Sequence, residues 1–206
     1  MPVRVWPRAP ITMIKFHFTF DKTVKSQQLK KSLLKKYKNI SVKNADVIIV
    51  AGGDGFMLNT IKKYIIHKTP FYGINCGSFG FLMNKNDSKD LKKKITNAKK
   101  TIINPLQIIS SNKKHKNNLI AVNEVSLFRQ SRQTASLRIK VEKKIIIKKL
   151  VSDGVLISTP AGSTAYNLSV NGPILSLNSG KLAVTPISPF RPRRWKGKIV
   201  SNKFKI

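Results

Sequence analysis

Apolar positions along the first hundred residues switch between two periods. Residues 11–18 alternate apolar and polar side chains, which predicts a strand. Residues 23–37 carry Val24, Leu29, Leu33, Leu34 and Tyr37 at near-helical spacing with lysines between them. This is an amphipathic helix that Asp21 or Thr23 can cap. Val47, Ile48, Ile49 and Val50 form a continuous apolar run, the mark of a buried parallel strand, and it ends in Gly52-Gly53-Asp54-Gly55. Helical spacing returns over 56–67, with Leu58, Ile61, Ile65 and Ile66 as its apolar face. Residues 71–74 form another short strand that runs into a glycine-rich loop, 75–80, and 87–100 reads as a surface helix. The order β-α-β-α-β-α predicts an open α/β layer with a parallel-type sheet.

The pattern changes after Asn104-Pro105. Residues 106–110, 119–128, 135–141, 145–151 and 155–158 are strand-like, with little helical periodicity between them. The expected fold is therefore α+β overall: an α/β domain over 1–104 and a β-rich, mainly antiparallel domain over 105–206. The stretch 186–206 is proline-rich, then basic, and offers little to a core. From 191 to 205 it reads as a solvated basic end, with a phosphate-contacting loop as the sharper alternative.

Composition narrows the classes. Lys and Arg number 40 against 8 Asp and Glu, a formal net charge of +32, and hydrophobic residues make up 41%, enough for a core. The charge favours anionic partners without choosing among nucleotides, nucleic acid and membrane surface. Runs such as Lys92-Lys93-Lys94 and 143–149 are mixed with isoleucine, which compositional bias also produces. No run of about 18 uncharged apolar residues is present, which excludes an ordinary transmembrane helix. The single cysteine, Cys76, excludes an intramolecular disulfide framework and a cysteine-based zinc site, and it fits a reducing, cytoplasmic setting. Residues 1–10 are basic, contain three prolines and lack the apolar core of a signal peptide. His17, His67 and His115 have no metal-ligand spacing, and no zinc-finger or aromatic RNA-binding motif is present, so no specific nucleic-acid partner and no membrane partner are expected.

The few carboxylates point to chemistry, because Asp54, Glu124 and Asp153 all fall in stretches that read as strand ends. Glycines around Asp54 allow close backbone approach to a ligand, the following helix offers free N–H groups, and the carboxylate can accept a proton from a hydroxyl or orient a metal ion. A tight βα turn with a solvated aspartate is the plainer reading. Residues 73–82, Gly-Ile-Asn-Cys-Gly-Ser-Phe-Gly-Phe-Leu, are neither a P-loop nor a dinucleotide fingerprint. They read equally as glycine turns with Phe79 and Phe81 packed in the core. Asn123-Glu124 sets an amide beside a carboxylate, a pair able to read a base edge and a ribose hydroxyl together, though alone it says little. The longest motif, 153–169, gathers the hydroxyls of Ser158, Thr159, Ser163 and Thr164 ahead of a helix start, and Tyr166 can stack on a base.

In this order and at these spacings the four segments resemble the NAD kinase family. Its hallmarks are a GGDG loop (52–55), a G-x-N-x-G-x-x-GFL stretch (73–82), an Asn-Glu pair (123–124) and DG-x4-TP-x-GSTAY (153–166). GGDG also occurs in diacylglycerol kinases and, similarly, in phosphofructokinases; the 159–166 stretch is much more specific. The resemblance implies transfer of the ATP γ-phosphoryl group to the 2′-hydroxyl of the adenosine ribose of NAD, giving NADP. It implies an N-terminal α/β and a C-terminal β-rich domain with NAD between them, a homo-oligomer (dimer or tetramer), and Mg²⁺ accompanying ATP, with no metal-ligating residue assigned. Asp54 matches the proton acceptor and also an NAD-binding position. Gly55, Asn123, Glu124, Asp153, Thr164, Ala165, Tyr166, Asn167, Leu168 and Ser169 match NAD-binding positions, and Phe81 an aromatic near the same site. A carboxylate is a weak base toward an alcohol, but phosphoryl transfer has a loose transition state, so Asp54 is expected mainly to orient the hydroxyl or the metal. The match runs from about Ile48 to Arg194, and the chain is shorter than family members usually are, so its C-terminal domain is expected to be incomplete. The alternative reading is a decayed or truncated homologue that binds nucleotide without turnover.

Overall fold

The computed structural model describes residues 14–78, 80–86, 89–112 and 116–206. The chain divides into two compact units, Met1–Lys99 and Lys100–Ile206.

The first unit is an α/β layer. Strands β1 (Phe16–Phe20), β2 (Val47–Gly52) and β3 (Phe71–Asn75) form a parallel sheet in the order β1-β2-β3. The central strand β2 is buried along its whole length, as a continuous apolar run requires when helices cover the sheet. Helix α1 (Val24–Lys36) starts at Thr23, whose hydroxyl accepts the Ser26 N–H, so Thr23 and not Asp21 is the cap. Leu29 and Leu33 face the core together with Ser26, whose hydroxyl donates to the Ala51 carbonyl at 2.7 Å and ties the helix to β2. Val24, placed on the apolar face by spacing, is exposed.

Helix α2 (Asp54–Tyr64) begins two residues before the apolar periodicity does, and its buried side chains are Met57, Thr60 and Ile61. The expected face shifts because the α-helix ends at Tyr64 and a 3₁₀ turn (Ile65–His67) closes on Lys68 in the left-handed region (φ 54°). The tighter winding swings Ile66 outward to 79% exposure. The surface helix expected over 87–100 is α3 (Leu91–Asn97), shorter at both ends. Residues 11–13, Phe79, Asp87 and His115, to which the sequence pattern assigned places, lie outside the described residues.

The second unit is antiparallel. Strands β4 (Leu106–Ser111) and β5 (Lys116–Ala121) form one hairpin, and β7 (Ala135–Val141) and β8 (Lys144–Ser152) form another. A four-stranded sheet has the order β11-β10-β9-β6, built from β6 (Glu124–Phe128), β9 (Gly154–Ser158), β10 (Lys181–Ile187) and β11 (Lys198–Ser201). Helix α4 (Tyr166–Ser169) is a single turn. The core gathers Ile139, Val141, Leu150, Val155, Leu182, Val184 and Val200.

Two expectations from the sequence do not hold. Residues 119–128 are not one strand: β5 ends at Ala121, β6 starts at Glu124, and the two join different sheets. The ladder breaks because Thr159 draws off the intervening carbonyls, its hydroxyl donating to Val122 O at 2.7 Å and its N–H to Asn123 O at 2.8 Å. The C-terminal stretch is not a bare solvated end either. Val200 on β11 is buried, Trp195 packs against the same core, and Glu142 clamps Lys205 through two backbone-directed bonds of 2.7 and 2.8 Å. Pro186 is tolerated within β10 because β11 pairs only as far as Val184, which leaves β10 an edge on that side.

Leu33→Ala empties a site in the first core and is expected to cost about 2–5 kcal/mol, whereas Ile66→Ala is expected to stay within about 0.5 kcal/mol. Urea midpoints of the two variants check this; comparable losses would restore the face that spacing alone suggests.

Candidate active site

In the first unit both glycine motifs leave the carboxyl ends of neighbouring parallel strands, the place where open α/β sheets bind ligands. Gly53 is the N-cap of α2 and Asp54 its first residue. The Asp54 carboxylate reaches the tail of the second motif, where Oδ2 accepts the Phe81 N–H at 2.8 Å and Oδ1 accepts the Leu82 N–H at 3.0 Å. The Cys76 N–H donates to Gly52 O at 2.8 Å, and the Asn75 side chain accepts the Gly77 N–H at 2.8 Å, so the two loops are stitched together at their roots.

The glycines divide by what they meet. A β-carbon on Gly52 would stand 2.7 Å from the Phe56 ring, so packing alone demands glycine there. A β-carbon on Gly53 or Gly55 would meet nothing within 4 Å. Those two leave open space beside Asp54. Phe81, read alternatively as a core residue, is 73% exposed. Burial pushes the Cys76 thiol up, away from the thiolate form.

In the second unit the hydroxyl-rich loop is mostly turned inward. Thr159 Oγ1 donates to Val122 O and accepts the Gly162 N–H; Ser163 Oγ donates to Pro160 O at 2.7 Å and accepts the Leu175 N–H at 3.0 Å; Ser158 Oγ donates to Thr159 O at 2.9 Å. All three residues are buried, so these hydroxyls shape the loop and are not presented to a ligand. Asn167 is likewise committed. Its amide donates to Ser163 O and Pro173 O, and its carbonyl accepts the Thr185 hydroxyl at 2.7 Å. Tyr166, Leu168 and Ser169 are exposed, and Thr164 and Ala165 half-buried, so the outer face of the loop is theirs.

The Asn-Glu pair lies beneath this loop. Besides the Thr159 bonds, Gly162 passes so close that any β-carbon there would collide with the Asn123 carbonyl. Asn123 Oδ1 and Glu124 Oε2 are buried with no hydrogen-bond partner among the described residues, and burial pushes the Glu124 carboxyl up from the usual carboxylate range. Two adjacent buried acceptors without donors are a standing cost that a ligand carrying hydroxyl or amino groups would relieve.

Asp153 stands apart from these residues. It precedes β9 whereas Thr159 follows it, and six residues of extended chain separate the two by about 20 Å. Its carboxylate is paired with Arg129, Nε to Oδ1 at 2.5 Å, and the Arg129 N–H donates to the Asp153 carbonyl at 2.9 Å. Arg129 was not singled out from the sequence, since no local spacing links residues 24 positions apart. Thr185, which holds Asn167, was hidden for the same reason.

With the geometry in hand, comparison with known proteins gives a consistent result. Residues 4–101 match the ATP-NAD kinase N-terminal domain and 122–206 the ATP-NAD kinase C-terminal domain. The NAD kinase of Caulobacter vibrioides is 44% identical over 182 residues, covering 88% of this chain and 70% of that protein. The NAD kinase of Zymomonas mobilis is 48% identical over 181 residues, covering 86% and 70%. Among solved structures, yeast NADH kinase complexed with NADH superposes with a TM-score of 0.68 at 25% identity, over 79% of this chain and 50% of that one. An Archaeoglobus fulgidus NAD kinase in complex with ATP superposes with a TM-score of 0.69 at 22% identity, over 93% and 78%, a likeness of fold. An α/β unit with a parallel sheet followed by an antiparallel β-rich unit is the two-domain architecture these proteins share, and the chain belongs to the ATP-NAD kinase family.

The Glu124 environment predicts a pH dependence. A carboxyl whose proton is held more tightly in the folded than in the unfolded chain favours folding most below the ordinary carboxylate pKa of about 4.3, and that advantage is lost as pH rises through its raised value. Glu124→Gln is therefore expected to gain stability over the wild type at pH 7 and to lose that gain near about pH 4. Urea midpoints across this range test it, and parallel curves for the two proteins would refute it.

Proposed function

We propose that Asp54 orients the acceptor hydroxyl in the reaction this chain catalyses, the ATP-dependent phosphorylation of NAD to NADP. The observation that carries this reading is the Asp54 carboxylate, fixed by two backbone N–H groups beside glycines whose open faces leave room for a substrate. The 2′-hydroxyl of the adenosine ribose donates a hydrogen bond to a carboxylate oxygen and attacks the γ-phosphorus of ATP. The new O2′–P bond forms as the bond to the β–γ bridging oxygen breaks, ADP leaves, and the hydroxyl proton is released by way of the carboxylate. Because the transition state is loose, the main contribution of Asp54 is position.

Gly55 and Phe81 on the first unit, and Asn123, Glu124, Thr164, Ala165, Tyr166, Leu168 and Ser169 on the second, are the proposed NAD contacts. The orphaned Asn123 and Glu124 oxygens would take donors from the ligand, and Tyr166 offers a ring for stacking. Asn167 acts from behind, holding the loop with both polar atoms of its side chain. Among the described residues no three His, Cys, Asp or Glu side chains come together, so a divalent ion would be held chiefly by the donor's phosphates, with the Asp54 carboxylate the ligand this chain would add. When bound, such an ion neutralises charge on the transferring phosphate.

A homo-oligomer belongs to the same proposal. Asp153 sits a strand length from the Asn-Glu pair of its own chain, so it suits a site completed by a second copy, and exposed Leu127 and Phe128 supply apolar surface next to it. No helix among the described residues is long and apolar enough to cross a membrane, and a cytoplasmic location goes with the proposed substrates.

Asp54→Asn is expected to lower NADP formation at least about a hundredfold while the chain stays folded, its unfolding free energy reduced by about 1.5–3 kcal/mol because the amide nitrogen cannot accept one of the two backbone N–H groups. Turnover with Mg²⁺-ATP and NAD, read by an NADP-specific dehydrogenase, measures this. Full activity in the variant would remove Asp54 from the role given to it.

A further inference from the structure

The chain carries 32 lysines but eight arginines, and three of those eight fall within the four residues 191–194. Lysine serves wherever bulk positive charge is enough. A guanidinium adds a planar fork of donors that grips phosphate oxygens in pairs and stacks on aromatic rings.

The segment is held in place. The N–H groups of Phe190 and Arg191 both donate to the Val151 carbonyl, at 2.8 and 3.1 Å, and the Val151 N–H donates back to Arg191 O at 2.8 Å. On this anchored backbone two side chains converge on one ring. The guanidinium carbons of Arg191 and Arg193 lie 5.4 and 5.2 Å from the centre of Phe190. Cation–π attraction favours each contact separately, but two like charges gathered on one exposed ring repel, and an anion between them would relieve that repulsion.

No carboxylate among the described residues supplies that anion. The second unit has three carboxylates, Glu124, Glu142 and Asp153. Asp153 is taken by Arg129, Glu142 accepts the Lys205 N–H, and the free oxygen of Glu124 is buried. Among the described residues, no carboxylate pairs with Arg191, Arg193 or Arg194.

We infer that Phe190, Arg191 and Arg193 form a subsite for the oligophosphate chain of a nucleotide. It lies beside the Arg129–Asp153 pair, because Val151, to which it is bonded, precedes Asp153 by two residues. Two forks on one ring suit a ligand with several phosphoryl oxygens in a row better than a single carboxylate. The kinase reading bears only on which nucleotide supplies the chain, the triphosphate of the donor or the pyrophosphate of the dinucleotide.

Calorimetric titration of tripolyphosphate and pyrophosphate into the full chain, at about 0.15 M salt to screen diffuse attraction, reads the subsite without turnover. Arg193→Ala is expected to weaken tripolyphosphate binding at least about tenfold, Arg193→Lys to restore only part of it, and Lys143→Ala, which removes the same charge from the β7–β8 turn, to change it less than about twofold. Equal weakening by Lys143→Ala and Arg193→Ala, or no binding by the wild type, overturns the proposal. In turnover assays of Arg193→Ala, a raised KM for ATP alone assigns the triphosphate, and a raised KM for NAD alone assigns the pyrophosphate. Both KM values unchanged would overturn a role in the reaction. A wild-type chain that binds tripolyphosphate yet makes no NADP defeats the kinase reading and leaves the subsite standing.

Discussion

Forty cations share eight carboxylates in this chain, and among the described residues four of the acids are tied to main-chain N–H groups. Asp21 accepts the Lys22 N–H, Asp46 the Lys15 N–H, Asp54 those of Phe81 and Leu82, and Glu142 that of Lys205. Exposed ion pairs with flexible lysines contribute about 0–1 kcal/mol and are screened by salt. A carboxylate bonded to main-chain N–H groups instead fixes the course of a loop. Scarce negative charge is thus used as a structural fastener. At Asp54 the bonds that settle the loop also fix the direction of the carboxylate.

The second unit depends on hydroxyls in a comparable way. Thr159 closes the gap between β5 and β6, and Ser163 and Thr185 hold the loop and Asn167 from below. The result is a rigid support for the exposed residues of 164–169, with two unsatisfied acceptors beneath them at Asn123 and Glu124. Local rules of stability are broken at these two oxygens, where no hydrogen-bond partner offsets burial.

Much of this was legible in the chain. A continuous apolar run with glycines after it announces a buried strand and a glycine turn into a helix, and β2 with its GGDG loop forms as that pattern requires. Such signals are local. The features that escaped depend on residues far apart in sequence. The break at Val122-Asn123 is imposed by Thr159, and the Arg129–Asp153 pair spans 24 positions. That the hydroxyls of Ser158, Thr159 and Ser163 turn inward is not legible in the sequence, because composition does not say which way a side chain turns. Ile66 left the core face because the helix tightened at its end, a change in winding that spacing does not record. β11 was hidden because its one buried side chain, Val200, is embedded among lysines.

Gly162 carries a consequence for how such a sequence can vary. Its missing side chain is the space in which the Asn123 carbonyl rests, so the loop and the Asn-Glu pair are two surfaces in one contact. A lineage that acquires any side chain at 162 displaces Asn123 in the same step, and no second substitution at 123 recovers the loss, because the colliding atom belongs to the main chain. The two motifs therefore cannot drift separately. They persist together or fail together, which ties the history of one segment to that of another nearly forty residues away.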